Sequence, residues 1–517
     1  TYSINGSINR NFLDNLNRVG FVPIFKSFRH IYLLTNLRNK NVRATIHPST
    51  MGNADEGSLN LELEFGMKNG CIELAFEHQP ETLAIQDAVK LLLEGLGEDV
   101  NREGIRKTPF RVSKALREGT RGYKLHVNEF VQSALFPEAG LDEGVGQAGG
   151  VGGLVVVRDL DHYSYCESCL LPFHVRCHIG YVPSGKRVLG LSKFSRVADV
   201  FAKRLQEPQR LADDICSALQ HWVKPSGVAV VLQCSHIHFP GMDLESLDLS
   251  SHQGFVKLLV SSGSGVFEDE SSSLWGEFMS FLKFKGVKTQ TLCRNGVSVK
   301  EWCPTVKSST KLSPEEDPEM VSVVVSILKS LGEDPSRKEL VATPARFLKW
   351  MMKFQSANLE MKLNGFNGVK LNGEIKEKRL KCEMNMPFWS MCEHHLLPFY
   401  GVVHVGYFCA EGSSNTNAVA SSLIKSIVHF YGFKLQVQER MTRQIAETLS
   451  PLVGGDVIVV AEAGHTCMIS RGIEKFGSST ATIAVLGRFS SDDAARAVFL
   501  DKIQTTTALK TDSSSQI

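Results

Sequence analysis

Several stretches of this chain recur about 230 residues further on, and that offset constrains the fold more than any other feature. Leu96-Gly97-Glu98-Asp99 returns as Leu331-Gly332-Glu333-Asp334, and Lys107-Thr108-Pro109-Phe110-Arg111 as Ala342-Thr343-Pro344-Ala345-Arg346. Cys177-His178-Ile179-Gly180-Tyr181 pairs with Val403-His404-Val405-Gly406-Tyr407, and Leu205-Gln206-Glu207-Pro208-Gln209-Arg210 with Leu435-Gln436-Val437-Gln438-Glu439-Arg440. A period of this length is too long for a solenoid unit and marks a duplicated domain. At 517 residues the chain has room for two cores. The expected divisions are a basic extension at 1–50, a first module at 51–303, a linker at 304–318, a second module at 319–503 and a polar tail at 504–517. The linker follows from the Ser, Pro and charge enrichment of residues 307–318.

Local patterns repeat within each copy. Residues 84–96 and 320–331 show helical apolar spacing behind a proline and stop at Leu-Gly-Glu-Asp. Thr108-Pro109 and Thr343-Pro344 suit proline in the first turn of a second helix. β-Rich runs follow at 154–157, 174–181 and 228–233, and in copy two at 402–407 and 457–460. Helices are expected at 208–223 and 438–452. Each copy therefore reads as α+β, an antiparallel sheet with helices gathered on one face.

Chemistry concentrates in one duplicated motif. Copy two carries Ser390-Met391-Cys392-Glu393-His394-His395-Leu396-Leu397-Pro398-Phe399, and copy one carries Ser164-Tyr165-Cys166-Glu167-Ser168-Cys169-Leu170-Leu171-Pro172-Phe173. A cysteine and a histidine three residues apart suit zinc, and they leave the adjacent His394 for proton transfer. Gly464-His465-Thr466-Cys467-Met468 offers a further ligand. Two cysteines and one histidine with a fourth position open to water form a catalytic zinc site; a closed structural site with another ligand is the alternative. In copy one, Cys166, Cys169 and His238 (from His236-Ile237-His238-Phe239) keep the spacing for a degenerate metal site, occupied or empty. The other cysteines, Cys71, Cys293 and Cys303 among them, read as plain thiols.

Composition removes other classes. Net charge is +2 with no basic excess, so nucleic acid is not an expected partner. No apolar run approaches the roughly 20 residues that span a bilayer, so no membrane is expected either. Cysteines clustered with histidine favour metal chemistry in a reducing compartment, and the expected location is cytoplasmic. Residues 1–50 hold Arg10, Arg18, Lys26, Arg29, Arg38, Lys40 and Arg43 against one acid, Asp14. That stretch reads as a disordered or non-native extension with Met51 as a candidate second start, organelle targeting being the alternative.

Taken together, Cys-Glu-His-His-Leu-Leu-Pro-Phe, Gln-Val-Gln-Glu-Arg and His-Thr-Cys-Met with Arg471-Gly472 resemble GTP cyclohydrolase I, and the tandem form resembles that of plants. The resemblance implies two tunnelling-fold modules in a homo-oligomer with active sites between modules. It implies zinc-dependent conversion of GTP to 7,8-dihydroneopterin triphosphate and formate, the entry to folate pterins. Cys392, His395 and Cys467 would hold Zn2+, and His394 and His465 would move protons. Gln438 and Glu439 would hold the guanine edge, and Arg471 and Arg346 would also contact the substrate. Alternatives are another tunnelling-fold purine or pterin enzyme, or a catalytically dead, zinc-stabilised regulatory subunit.

The copies have lost opposite halves of this set. Copy one keeps the triphosphate motif Leu189-Gly190-Leu191-Ser192-Lys193 with Arg196, where copy two has Val419-Ala420-Ser421-Ser422-Leu423 and Ser426. Copy one in turn has Ser168 for the histidine at 394 and Gln209 for the carboxylate at 439. Reciprocal loss is expected if a site takes metal and base contacts from one module and Ser192, Lys193 and Arg196 from another.

Overall fold

The structure, a computed structural model, describes residues 77–137, 153–184, 187–238, 254–287, 302–303, 318–354, 378–410, 420–473 and 475–514. The basic extension at 1–50, Cys71, Cys293 and linker residues 304–317 lie outside the described residues. Those described belong to one compact unit, Ile72–Ile517.

The first module opens on a helical hairpin, α1 (Pro80–Gly95) and α2 (Thr108–Gly119). Proline, with its fixed φ, starts both, as the sequence predicts. Helix α1 buries Ile85, Val89, Leu92 and Leu93, a single stripe at helical spacing. It stops where Gly97 takes φ +80°. There the Gly97 amide bonds the Glu94 carbonyl and the Glu98 amide bonds the Leu93 carbonyl, a Schellman closure that needs a left-handed residue. After the short α3 (Val127–Val131) and β1 (Leu135–Pro137) comes the sheet. Its order is β5-β2-β3-β6-β7, made of β2 (Val155–Cys166), β3 (Pro172–Val182), β5 (Leu205–Gln206), β6 (Gly227–His238) and β7 (Gly254–Gly265). All pairings in it are antiparallel except the two-residue β5 on β2. Strand β4 (Arg187–Leu189) pairs with β1 outside it.

Successive residues of β6 face opposite sides. Val228, Val230 and Leu232 join the main core with α4 (Ser192–Ala202) and α5 (Pro208–Val223). Ala229 and Val231 instead meet Trp275, Phe278 and Leu282 of α6 (Ser273–Lys283), so one further helix packs on the opposite face.

The second module repeats this plan. Its hairpin is α7 (Pro318–Ser330) and α8 (Thr343–Met351), and α7 closes at Gly332 with φ +92°. The sheet order is β10-β8-β9-β11-β12, from β8 (Lys378–Cys392), β9 (Leu397–Ala410), β10 (Leu435–Gln436), β11 (Val457–His465) and β12 (Thr480–Leu486). Helices α9 (Ser421–Gly432) and α10 (Gln438–Val453) cover one face. A single turn, α11 (Thr466–Ile469), follows β11. On the other face Phe499 and Ile503 of α12 (Asp493–Ser514) pack on Ile458 and Val460. That helix continues through residues 504–514, which the sequence reading set aside as a tail. Even the irregularities are duplicated. A bulge in β2 puts Asp159 at φ +58° with its amide 3.3 Å from His178 Nδ1, and a bulge in β8 puts Asn385 at φ +56° with its amide 3.3 Å from His404 Nδ1. The architecture is thus the expected α+β pair of tunnelling-fold modules, except that the helices are not confined to one face, since α6 and α12 cover the other.

The two hairpins are exchanged. α1 packs against α7, and each hairpin docks on the metal-motif turn of the other module. Arg102, after α1, gives two hydrogen bonds to Glu393 Oε2, both 3.0 Å, and Thr108 Oγ1 donates to the Glu393 carbonyl at 2.6 Å. In mirror image, Arg337 bonds Glu167 Oε2 at 3.1 Å and Thr343 Oγ1 donates to the Glu167 carbonyl. Each carboxylate also binds an arginine of its own module, Arg440 on Glu393 and Arg210 on Glu167.

Candidate active site

Strand β8 ends on Cys392 and β9 begins at Leu397, leaving a tight turn between them. The turn closes through the Leu396 amide on the Cys392 carbonyl at 2.9 Å, with Leu396 at φ +51°. Next to β9, β11 ends on His465, which pairs in register with Phe399 and stacks on its ring at 4.7 Å. Cys467 follows in the first turn of α11. Three strand ends therefore meet, and one ligand atom each from Cys392, His465 and Cys467 lies within 4.8 Å of the others.

The electrostatics suit a cation. Hydrogen bonding with Cys467 above all, and then with the surrounding His394, His395 and His465, holds the Cys392 thiol far below the usual range despite burial. Cys467 shifts upward, chiefly because it gives its proton to that thiolate and then because it is buried. His394 is raised, mainly by its bond to Cys392. His395, which adjoins Cys392, has its Nδ1 buried with no hydrogen-bond partner. Of the sequence-expected ligands, Cys392 and Cys467 are brought together, and the group of mutually close donors takes His465 as its third member, with His395 adjoining Cys392. Two cysteines and a histidine whose donor atoms lie this close, with two further histidines beside Cys392, fit zinc.

Gln438 is expected from the sequence at the guanine edge, but its side chain is engaged elsewhere. Its Nε2 donates to the Ala461 and Thr480 carbonyls at 2.9 and 2.8 Å, so Oε1 must face His465 Nε2 at 2.8 Å. That acceptor places the His465 proton on Nε2 and leaves Nδ1 as the basic nitrogen. Gln438 is therefore a positioning residue here. Glu439 beside it is exposed in the first turn of α10. Arg471 is exposed too, and its Nε donates to the Cys467 carbonyl at 2.6 Å.

The first module contributes residues that the sequence reading did not assign. Arg111 of α2 lies close enough to His394 to oppose its protonation. Tyr165 of β2 sits beside Ser470 and Arg471, and burial is the main cause of its rise to about 12, which keeps it neutral. Phe476 reaches back to stack on His174 at 4.4 Å. Arg111 is the repeat counterpart of Arg346. Because the hairpins are exchanged, α8 carries Arg346 to the first module's Glu167 turn, and Arg111 takes the expected place near the second module's histidines. Arg111→Ala should therefore impair GTP turnover more than Arg346→Ala; equal kcat/KM in the two variants would contradict this exchange.

Ser192 and Lys193 begin α4, with Arg196 on the next turn; Ser192 and Arg196 are exposed and Lys193 half-buried. Among the described residues no hydrogen bond or ion pair joins these three to Cys392, His394, His465 or Cys467. Copy one forms its own cluster. Cys166, Cys169, His236 and Cys303 each bring a ligand atom within 4.8 Å of the rest, and all four are buried. The histidine is His236, and the side chain of His238 lies outside the described residues. Cys303, read from the sequence as a plain thiol, belongs to this group.

The GTP cyclohydrolase I family profile matches residues 85–247 and 320–504, both modules in turn. The chain belongs to the GTP cyclohydrolase I family. It is 87% identical over 465 residues to GTP cyclohydrolase 1 of Arabidopsis thaliana, covering 90% of this chain and all of that protein. With GTP cyclohydrolase 1 of Solanum lycopersicum it shares 62% over 458 residues, 88% of this chain and 98% of the relative. GTP cyclohydrolase 1 of Dictyostelium discoideum is 42% identical over 207 residues, 40% of this chain and 81% of the relative. Family membership makes this an enzyme whose substrate fits GTP. Among the described residues no helix is long and apolar enough to cross a membrane.

Proposed function

We propose that the second module, completed by residues of first modules, hydrolyses GTP to formate and 7,8-dihydroneopterin triphosphate with zinc at the Cys392 centre. The observation that carries this reading is that donor atoms of Cys392, His465 and Cys467 lie within 4.8 Å of one another, with His394 and His395 beside Cys392. Cys392, Cys467 and His395 would hold the ion, His395 through its orphaned Nδ1. When bound, zinc supplies the Lewis acidity that makes water a nucleophile near neutral pH.

The protein's own groups do the rest. Two waters add at C8 of the purine, one to open the imidazole ring and one to release formate, and one water is returned when the pterin ring closes; each step requires protons to be moved near pH 7. His465 accepts at Nδ1, because the Gln438 bond keeps its proton on Nε2. His394, half-buried and raised by Cys392, is the complementary donor. Glu439 accepts the guanine N–H groups, a contact that adenine cannot make. Arg471 and Arg111 supply positive charge at the edge of the centre. The test is the fluorescence of the oxidised pterin after incubation with GTP, with and without a chelator. Product in the untreated sample alone is expected, and no product in either would refute the reading.

For the triphosphate we retain Ser192, Lys193 and Arg196, supplied by the first module of a neighbouring chain in a homo-oligomer. The support is their reciprocal loss from copy two, which has Leu423 and Ser426 at the positions of Lys193 and Arg196. Lys193→Ala should raise KM for GTP about 10–100-fold, one charge-assisted contact, while leaving zinc content unchanged. An unchanged KM would remove α4 from the site.

A further inference from the structure

The buried cluster of the first module is not used by the proposed chemistry, and its donor set differs in kind from that of the second. We propose that Cys166, Cys169, His236 and Cys303 form a closed, four-coordinate structural zinc site. The second module's centre has a half-exposed histidine at its rim, as a site that admits substrate requires. The first module's cluster is sealed: Cys166, Cys169 and His236 are 0% exposed and Cys303 is 1% exposed. Four donors this deeply buried make the Cys3His set of structural zinc, whereas catalytic zinc keeps a position open.

The geometry agrees with coordination. A tetrahedral ion with Zn–S near 2.3 Å and Zn–N near 2.05 Å places a sulfur and a nitrogen about 3.6 Å apart. Cys169 Sγ and His236 Nε2 are 3.4 Å apart, and the whole group lies within 4.8 Å. His236 is also prepared as a ligand. Its Nδ1 donates to the Ile237 carbonyl at 2.8 Å, which fixes the proton there and turns the Nε2 lone pair toward the sulfurs. Such an outer bond to a backbone carbonyl orients most metal-binding histidines. Phe173 lies parallel to the imidazole at 6.5 Å, and Trp302 stands edge-on to both rings at 4.8 and 4.9 Å, closing the apolar wall.

The repeat shows how such a site would arise. Cys166 keeps the place of Cys392, Cys169 replaces His395, and His236 keeps the place of His465. Cys303 comes from outside the repeat and supplies the fourth donor. Zinc binding would release the thiol protons and tie residues 302–303 to the β2–β3 turn. That same turn accepts the second module's Trp350 Nε1 on the Cys169 carbonyl at 3.0 Å, so the ion would brace the joint between modules.

The test is metal content of the full-length protein together with cobalt substitution. Wild type should carry about two zinc ions per chain, and Cys392→Ser/Cys467→Ser about one, since only the open centre is lost. Cobalt in that double variant should give the intense thiolate charge-transfer absorption of a three-sulfur tetrahedral site. Adding Cys303→Ser should weaken that absorption and bring zinc below one per chain. Zero zinc in the double variant would overturn the proposal, as would a disulfide among Cys166, Cys169 and Cys303 in the freshly isolated protein. If the triple variant is insoluble, the double variant alone decides. One zinc per chain with a sulfur-rich cobalt spectrum supports the site, and one zinc with a sulfur-free spectrum refutes it.

Discussion

Cys392→Ala or Cys467→Ala is expected to lower GTP turnover about 10³-fold or more, a barrier increase of about 4 kcal/mol. Each of these thiols is the other's main proton partner, so removing either leaves a lone buried thiol and an incomplete donor set. Zinc at the second centre should fall with activity, and full activity in a demetallated Cys467→Ala protein would sink the assignment. The two histidines separate by the same measurements. His395 offers an orphaned nitrogen, whereas His465 is held by Gln438 with its basic nitrogen directed at the cluster. His395→Ala should therefore lose zinc, and His465→Ala should keep zinc yet lose most activity. The opposite pattern would make His465 the ligand, in line with the closest triple of donor atoms.

Much of the fold is legible in the sequence because its signals are local. Apolar spacing behind a proline locates α1 and α7, and the helix expected at 208–223 is α5 (Pro208–Val223). Gly97 and Gly332 mark real stops because only a left-handed residue completes the closing bonds there. The exchange of hairpins is not legible. Glu167 and Glu393 present the same carboxylate and the same carbonyl on the same turn, so no local pattern tells Arg102 and Thr108 which one to bind. Its consequence, Arg111 rather than Arg346 beside His394, is hidden for the same reason. The two glutamates are nonetheless visible as the acids shared by both motif copies.

The metal centres divide along the same line. Cys392, His394, His395, His465 and Cys467 fall in two short motifs whose strands, β8 and β11, both flank β9, so sequence spacing is enough to group them. His236 and Cys303 are not grouped that way. Choosing His236 over His238 depends on the partner of its second nitrogen, and Cys303 lies 65 residues after β6 ends at His238. Only packing of Trp302 against Phe173 and His236 reveals that this segment returns to the sheet.

The exchanged joint should be a principal source of cohesion between modules. Glu393 is 3% exposed and Glu167 4% exposed, and each carboxylate is held by an arginine from either module. Their surroundings are tight: a Cβ at Gly104 would lie 2.5 Å from Glu393 Oε1, so a side chain there would have to displace that carboxylate. Breaking one side of a buried ion pair costs roughly 3–5 kcal/mol, because the charges left behind lose their partner. The arginines here are about one-third exposed, so water compensates part of that, and roughly 2–4 kcal/mol is expected for Glu393→Ala. The thermal midpoint should then fall by about 4–16 °C, taking roughly 2–4 °C per kcal/mol for a domain of this size. Glu167→Ala should cost the same, since the two turns are copies. Activity should separate them: Glu393 lies between Cys392 and His394, whereas Glu167 adjoins the cluster that takes no part in the proposed chemistry. Glu393→Ala should therefore lose both stability and kcat, and Glu167→Ala stability alone at temperatures where it remains folded. Equal kcat losses in two folded variants would mean that the joint, rather than the local turn, sets the geometry of the catalytic centre.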